Sequence, residues 1–446
     1  MEKIKIGFIS AIIIPIFVLV YFIAYTFIEP MSYDFMMRNV VTKRLPFDKN
    51  KNIDGHNDIV IIMVDDKTLE KYRWPWKREK WCKIFNYLNE YSKPKVIAHD
   101  SLVTSLDIEN PESDKIFFDT IAKSDIIMQG FSPSYIDLDD PKEGRKYDAS
   151  FIRKSYITAS YNARELPSIY QSMIKMPEPN MNALKHAGST RMTTSFITGN
   201  LRPYARGNKF RTYEYFINYR GFILPSFALE AFMISKGDPT MVITKKYMGF
   251  PELNYKIKHR ITPFQAVVPL KFYNTKPYTG YSHQKYSAAD IMSSYDELQN
   301  GEEPLIDPIE FKDKIVLIGA NAEGARDEWP TPMLTFHPGP DIHATAIDNI
   351  IHNDFLKVVS DYINYLVVLF GIFIMYKISE HKRLIDLFSA VFVLSALYLL
   401  LTCIFYYFGI IINIITPIIV WIVSIIPILI YKIYKIEVKL CISKNN

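Results

Sequence analysis

The chain has 446 residues, of which 49% are hydrophobic and 22% are charged, and its formal net charge is +5. So small an excess of basic residues gives no support for nucleic-acid binding. The mean hydropathy of +0.02 is too high for a disordered chain and too low for a protein made only of membrane spans. The three cysteines, Cys82, Cys403 and Cys441, are too few for a disulfide-stapled scaffold.

Charged residues are missing from the amino-terminal end of the chain. Residues 6–28 contain no charged side chain, and a bilayer span takes about 20 such residues. The run is longer than the apolar core of a cleaved signal peptide, and no small-x-small cleavage site follows it. We therefore predict an uncleaved transmembrane anchor, with a short cytoplasmic segment at residues 1–5 before it.

The carboxyl-terminal end predicts three more spans. Residues 387–431 are free of charge and long enough for two helices joined by a tight turn. The predicted segments are a span at 358–376, a cytoplasmic loop at 377–386, a span at 387–407, an outside turn at 408–412, a span at 413–431 and a cytoplasmic tail at 432–446.

Basic residues define the predicted orientation of these four spans. They precede the first span, lie between the second and third, and follow the fourth: Lys3, Lys5, Lys377, Lys382, Arg383, Lys432, Lys435 and Lys439. By the positive-inside rule these clusters face the cytoplasm, and so do both termini. We predict a multi-pass protein of the cell inner (plasma) membrane with a large extracytoplasmic domain.

The predicted spans are poor in ionisable groups. Apart from Asp361 at one rim, they contain no carboxylate, lysine or histidine. Such groups mark ion and proton pathways through membranes, so their scarcity argues against a transporter or a channel.

Residues 29–357 are predicted to form an extracytoplasmic α/β domain with a mostly parallel sheet. Continuous apolar runs, typical of strands buried on both faces, alternate with segments of helical periodicity. The predicted strands are 58–65, 95–98, 125–131 and 314–319, and the predicted helices are 77–91, 111–122, 225–236, 288–298 and 341–351. Residues 132–209 lack clear periodicity and are interpreted as loops with some strand.

Several motifs, in the right order along the chain, resemble the second CHASE family (CHASE-two). The amino-terminal motifs are Val64-Asp65-Asp66-Lys67-Thr68-Leu69, Arg73-Trp74-Pro75-Trp76-Lys77-Arg78 and Lys95-Val96-Ile97-Ala98-His99-Asp100. The carboxyl-terminal motifs are Tyr286-Ser287-Ala288-Ala289-Asp290, Lys312 to Ala320, Thr331-Pro332 and Gly339-Pro340-Asp341-Ile342-His343-Ala344. The resemblance covers residues 31–431 and is weakest between 132 and 220.

The resemblance implies an extracellular sensor domain of the kind associated with cyclases and histidine kinases, followed by three close-packed transmembrane helices. The sequence departs from the family at two places. His99 stands where the family usually has an aromatic residue, and only residues 432–446 follow the last span, where these receptors usually carry a catalytic domain. We therefore expect a separate cytoplasmic cyclase or kinase partner, or a homo-oligomer.

Carboxylates follow the predicted strands at positions suited to ligand binding. Asp65, Asp66 and Asp100 come after the first two strands, and Asn321 comes after a later one. The carboxyl ends of parallel strands meet at one edge of a sheet, where ligands bind, so these groups are candidate contacts for a cation, an amine or a polar solute. The alternative is that the aspartates cap helices and order turns.

Two further groups are candidates for contact with an extracytoplasmic ligand. Arg73 and Trp74 could form a cationic and aromatic wall, or cover the sheet edge. Arg326 and Asp327 could belong to a mobile lid, or form an ordinary ion pair in a solvated loop.

The sequence predicts neither a metal nor a cofactor. His337, Asp341 and His343 match no strong ligand spacing, and a histidine at a helix start is usually a capping or packing residue. No nucleophile elbow, zincin motif or phosphate-binding glycine loop is present in the sequence.

The sequence favours a bacterial membrane receptor that takes in an extracytoplasmic signal and passes it through its helices to a separate or missing cytoplasmic output. Two alternatives remain. One is an extracytoplasmic enzyme that uses Asp65 and Asp100, and the other is a structural or assembly protein with a degenerate sensor domain.

Overall fold

The computed structural model describes residues 15–46, 48–103, 107–131, 158–159, 186–190, 209–219, 222–243, 247–257, 265–276, 280–323, 327–381 and 383–444. The chain forms two compact units. A helical unit consists of Met1–Phe47, Thr194–Asn208 and Leu356–Asn446, and an α/β unit consists of Asp48–Thr193 and Lys209–Phe355.

The helices of both units are numbered together in chain order. They are α1 (Pro15–Val41), α2 (Asp66–Lys71), α3 (Glu79–Asn86, continued by a π-helical turn at Tyr87–Ser92), α4 (Pro111–Ala122), α5 (Phe227–Ser235), α6 (Ala288–Gln299), α7 (Gly339–Ile351), α8 (Asp361–His381), α9 (Leu384–Tyr407) and α10 (Ile415–Lys444). Short 3-10 turns lie at Pro251–Leu253 and Pro308–Phe311.

The strands are β1 (Ile59–Val64), β2 (Val96–His99), β3 (Ile127–Phe131), β4 (Thr158–Ala159), β5 (Ala187–Ser189), β6 (Thr212–Tyr219), β7 (Phe222–Pro225), β8 (Met241–Ile243), β9 (Met248–Phe250), β10 (Tyr255–Ile257), β11 (Gln265–Pro269), β12 (Gln284–Ser287), β13 (Ile315–Ala320), β14 (Glu328–Trp329), β15 (His337–Pro338), β16 (Lys357–Val358) and β17 (Ile410–Ile411).

A six-stranded parallel sheet organises the α/β unit. Its order is β12-β1-β13-β2-β3-β5, and every neighbouring pair is parallel. All six residues of β1 are buried, which explains why that strand is an uninterrupted apolar run in the sequence. The parallel pairing is as predicted. The late strand β13 lies between β1 and β2, so these first two strands are not neighbours.

Helices cover both faces of this sheet. Side chains of α3, α4 and α6 share one apolar core with alternate residues of β1, including Val60, Ile62 and Val64. Helices α5 and α7 pack together and against the sheet on the opposite face. The result is a layered α/β arrangement in which α7 lies against β1 and β13.

Antiparallel strands complete the α/β unit. One group has the order β11-β6-β7 and another has the order β10-β9-β8-β4. The segment at residues 132–209, predicted as loops with some strand, lies mostly outside the described residues. Its described parts include the short strands β4 and β5.

Within its described residues, the helical unit has four helices that are long and apolar enough to cross a membrane. The candidate spans are Pro15–Val41, Asp361–Glu380, Ile385–Tyr407 and Ile415–Tyr434. Helices α8 and α10 approach closely at Gly371, where a β-carbon would lie 2.2 Å from the Trp421 indole. The indole Nε1 donates a hydrogen bond to the carbonyl oxygen of Val368 at 3.0 Å.

The first helix continues beyond residue 28, where the charge-free run ends. The carboxylate of the next residue, Glu29, is buried and accepts hydrogen bonds from the backbone N–H groups of Ile414, Ile415 and Thr416 and from the Thr416 hydroxyl. These donors belong to the amino-terminal end of α10, where backbone N–H groups lack helical partners. The first charged residue after the charge-free run is therefore compensated within the helical unit and does not end the helix.

Candidate functional site

The structure places three of the predicted site residues at one edge of the parallel sheet. Asp65, Asn321 and Asp100 follow β1, β13 and β2, which are adjacent strands. The backbone N–H of Asn321 donates to Val64 at 3.0 Å, and that of Asp100 donates to Ile318 at 2.8 Å. The hydrogen bonds between neighbouring strands thus continue into the residues that follow the strands.

The carboxylate of Asp65 caps helix α2. Its Oδ1 accepts hydrogen bonds from Thr68 N at 3.1 Å, from Thr68 Oγ1 at 2.7 Å and from Ser287 Oγ at 2.7 Å. Asp66 Oδ1 accepts from the backbone N–H of Glu323 at 2.8 Å. Both contacts order the loops at this edge, in keeping with the capping alternative. A ligand role for either residue stays a prediction.

Arg73 and Trp74 are exposed, and within the described residues neither forms a hydrogen bond with the carboxylates of the edge. Trp74 belongs to a group of tryptophan rings. Its ring centroid lies 5.7 Å from that of Trp76 and 6.5 Å from that of Trp81. The structure therefore places Trp74 at the exposed end of an aromatic cluster whose other two rings, Trp76 and Trp81, are buried.

Two buried carboxyl groups with raised pKa values, Asp100 and Asp327, lie at the far side of the edge. Burial, and then the nearby carboxylate of Asp327, raise the pKa of Asp100 well above its ordinary value. Burial also raises the pKa of Asp327, although its hydrogen bond from the Trp329 indole acts in the opposite direction. The structure thus brings Asp327 near Asp100, a contact that the sequence did not predict, while Arg326 lies outside the described residues.

A buried histidine of α7 faces Asp100. His343 Nε2 lies 3.9 Å from Asp100 Oδ2, and His343 Nδ1 lies 2.7 Å from the hydroxyl oxygen of Tyr213. Burial lowers the pKa of His343 to about 3, so the imidazole is neutral at physiological pH. Close to them, Gly339 approaches the Asp327 carboxylate, because a β-carbon on residue 339 would lie 2.0 Å from Asp327 Oδ2.

Asn321 offers a polar atom to this edge. Its Oδ1 is buried and has no hydrogen-bond partner among the described residues, whereas its Nδ2 is 3.5 Å from the Tyr281 hydroxyl oxygen. A buried acceptor without a donor is costly, so this oxygen is suited to a ligand donor or a bound water.

A second polar cluster of the unit is a chain of histidines and aspartates on and around α7. The helix is almost wholly buried, yet it carries Asp341 and Asp348. His337 precedes Asp341 by four residues, and His352 follows Asp348 by four residues. Asp341 and Asp348 are seven residues apart and therefore share one face of α7, while His337 in β15 and His352 at the C-cap flank the two ends of the helix.

His283, just before β12, joins the two helical aspartates. Its Nδ1 lies 3.0 Å from Asp341 Oδ1 and its Nε2 lies 3.0 Å from Asp348 Oδ2. Asp341 also contacts His337 Nε2 at 2.8 Å and accepts from the Ser282 hydroxyl at 2.8 Å. A continuous hydrogen-bonded path therefore runs from His337 to Asp348.

The path branches at Asp348. Its Oδ1 lies 2.6 Å from His56 Nδ1 and 2.8 Å from His352 Nδ1, and it accepts a hydrogen bond from Tyr273 at 2.9 Å. His283 and both aspartates have fully buried side chains, whereas those of His56 and His352 are 30% and 26% exposed. The chain thus connects the unit's interior with its surface.

The electrostatics of this chain favour a buried imidazolium between two carboxylates. Burial alone would lower the pKa of His283, but its hydrogen bonds to Asp341 and Asp348 outweigh burial and raise it to about 9. Burial would raise the pKa of each aspartate, and the imidazole hydrogen bonds instead hold both pKa values far below the ordinary range. The cluster therefore holds fixed charges inside the fold.

The sequence hypothesis missed this chain, although it considered His337, Asp341 and His343. The structure separates that group, because His343 faces Tyr213 and Asp100 while His337 bonds to Asp341. Two His/Asp pairs four residues apart in sequence, His337 with Asp341 and Asp348 with His352, were the available signal. The residues that connect them, His283 and His56, are distant in sequence and have no local signature.

Comparison with known protein families shows the family of the chain. The CHASE2 domain matches residues 10–376, which is most of the chain. The protein therefore belongs to the CHASE2 family, whose domain is an extracellular sensory module of signalling proteins. No curated protein and no solved structure matches the chain.

Proposed function

We propose that the protein is a membrane-bound sensory receptor whose α/β unit detects a signal outside the cytoplasm and whose helices relay it to a cytoplasmic output. The observation that carries this proposal is the CHASE2 match at residues 10–376, in a chain whose described part has four candidate membrane spans. Sensing combined with membrane anchoring calls for a relay through those helices.

The proposed orientation has both termini in the cytoplasm, with helix α1 before the α/β unit and helices α8, α9 and α10 after it. The basic residues near the predicted span ends support this orientation through the positive-inside rule. Relay requires that the signal bind two states of the α/β unit with different affinity, since a ligand with equal affinity for both states shifts nothing.

Cysteine labelling tests the orientation. Ile108 is 91% exposed in the α/β unit, and Glu380 is exposed near the end of α8. In a background without native cysteines, a membrane-impermeant maleimide should label Ile108→Cys in intact cells. It should label Glu380→Cys only after the cells are permeabilised. The reverse pattern would show an inverted topology and overturn the proposal.

A genetic comparison tests signalling. Cells that carry an internal deletion of residues 29–357 should show the transcript changes of a whole-gene deletion, because the input would be lost in both. A chain with the surface substitution Ile108→Ser serves as the control and should match wild type. A 29–357 deletion strain that matches wild type, while the gene deletion does not, would remove the sensory role of the α/β unit.

A further inference from the structure

We propose that His56, Asp348 and His352 form a binding site for a divalent transition-metal ion, with Zn²⁺ as the best-matched ion. This site belongs to the α/β unit alone and does not depend on the proposed signalling function.

Two imidazoles converge on one carboxylate oxygen at this site. His56 Nδ1 and His352 Nδ1 lie 2.6 Å and 2.8 Å from Asp348 Oδ1. The two imidazole rings are stacked, with centroids 3.7 Å apart and planes 14° from parallel. Three groups able to ligate a metal therefore point at one small region.

The separation of these groups suits a zinc ion. The ligand atoms of the three residues all lie within 4.8 Å of one another. Zn–N and Zn–O bonds of about 2.0–2.2 Å place neighbouring tetrahedral ligand atoms roughly 3.3–3.5 Å apart, so small side-chain movements suffice. Zn²⁺ would take the place of the N–H protons that the two Nδ1 atoms direct at Asp348, and those protons would pass to solvent.

The donor set selects the class of metal. Two imidazole nitrogens and one carboxylate favour Zn²⁺ and other first-row transition ions, whereas Mg²⁺ and Ca²⁺ prefer sites made of oxygen ligands. Three protein ligands leave a fourth position for water or for a further ligand.

A supporting shell of hydrogen bonds is already in place around the three ligands. Asp58 Oδ2 lies 3.2 Å from His352 Nε2, the carboxylate–histidine arrangement that orients a metal-bound imidazole. The other oxygen of Asp348, Oδ2, is held by the His56 backbone N–H at 2.8 Å and by His283 Nε2 at 3.0 Å. The ligands are therefore positioned before an ion arrives.

The three ligands leave the site open to solvent on one side. His56 and His352 are partly exposed, so an ion can reach the site from solvent, while the fully buried Asp348 closes it from behind.

Metal titration of the full-length protein tests the proposal. The protein is purified in detergent through a tag without histidines, stripped with EDTA and titrated with ZnCl₂ by isothermal calorimetry. We expect one high-affinity Zn²⁺ per chain, a loss of at least about 100-fold in affinity for His56→Gln and His352→Gln, and a loss of about 10–100-fold for Asp58→Asn. His381→Gln, in the helical unit, is the matched control and should bind as wild type.

Three outcomes would overturn the site. They are no zinc binding by wild type, unchanged affinity in both histidine variants, and equal affinity for Mg²⁺ in wild type. X-ray absorption of the zinc-loaded wild type counts the imidazole ligands directly, so this test does not require the variants to fold. Two imidazoles per zinc support the proposal, and one or none contradicts it.

Discussion

Aspartates occur in two contrasting settings in the α/β unit. At the carboxyl edge of the sheet, Asp65 and Asp66 accept hydrogen bonds from backbone N–H groups of the loops and of α2. On helix α7, Asp341 and Asp348 are fully buried, and imidazoles are among their main partners. The same residue type thus serves turns in one region and a charged chain in the other.

The difference follows from the backbone. A residue just before a helix lies near N–H groups that have no helical partner, so its carboxylate becomes a cap. Asp348 lies in the last turn of α7, where each N–H is already bonded to a carbonyl one turn earlier, so its buried carboxylate takes donors from outside the helix. Asp341 lies in the first turn, yet it accepts from Ser282, His283 and His337 rather than capping α7. A buried helix carboxylate whose donors come from other elements is therefore the stronger sign of a specific polar site.

The largest expected effect comes from removing a charge from the α7 chain. Asp341→Asn keeps the size of the side chain but leaves His283 with one carboxylate partner. It also turns the amide NH₂ of the new side chain toward groups that donate hydrogen bonds to Asp341 in the wild type. Uncompensated buried charge costs about 3–5 kcal/mol, so the free energy of unfolding should fall by that amount. Urea unfolding of the full-length protein, followed by tryptophan fluorescence, measures it.

The matched control for this variant is Asp66→Asn at the sheet edge. Asp66 is exposed and accepts one backbone hydrogen bond, so its loss should cost below about 1 kcal/mol. Equal destabilisation by the two variants would remove the distinction between the two settings.

The pH dependence of stability tests a buried histidine that, unlike His283, has no carboxylate partner. His99, at the end of β2, is buried among Trp81, Phe85 and Phe117, and burial lowers its pKa to about 4, against a partial opposing effect of its hydrogen bond to Gln129. The unfolded chain, with an ordinary histidine pKa of about 6.5, binds the proton first. Stability should therefore be full above pH 6.5 and fall as pH drops from 6.5 to 4.

His99→Phe should flatten this acid dependence. The native protein should lose about 3 kcal/mol from His99 at pH 4, and the variant should lose none from this position. At pH 7.5 the variant should be less stable by about 1 kcal/mol, because Gln129 loses a partner. Thermal midpoints of both proteins between pH 7.5 and 4.5 measure the slopes, and parallel slopes would contradict a neutral buried His99.

Much of the parallel sheet was predictable because strands buried on both faces have uninterrupted apolar runs. The runs at 58–65 and 314–319 correspond to β1 and β13. The position of β13 between β1 and β2 was not predictable, since local periodicity carries no information about the order of strands across a sheet. The continuation of α1 past Glu29 was missed for a similar reason, because the donors near residue 414 are distant in sequence.

The meeting of Asp65, Asn321 and Asp100 at one edge could be predicted, because strand direction alone requires it. The chain along α7 could not. It depends on His283 and His56, which reach the helix from separate loops. The sequence showed that His99 stands where the family usually has an aromatic residue. The aromatic surroundings of His99 were not predictable, because they depend on how α3 and α4 pack.

The smallest expected effect separates capping from ligand binding at Asp65. Asp65→Ala removes the cap of α2 and should lower the free energy of unfolding by about 1 kcal/mol, whereas Asp65→Ser retains a capping oxygen and should cost a few tenths. Urea unfolding of both variants measures the difference. If the two variants are equally unstable, the carboxylate stabilises the edge through its other hydrogen bonds as well as through the cap of α2. If Asp65→Ser is stable yet abolishes signalling in cells, the same carboxylate also has the predicted ligand role. The aspartates of the sheet edge would then not serve turns alone.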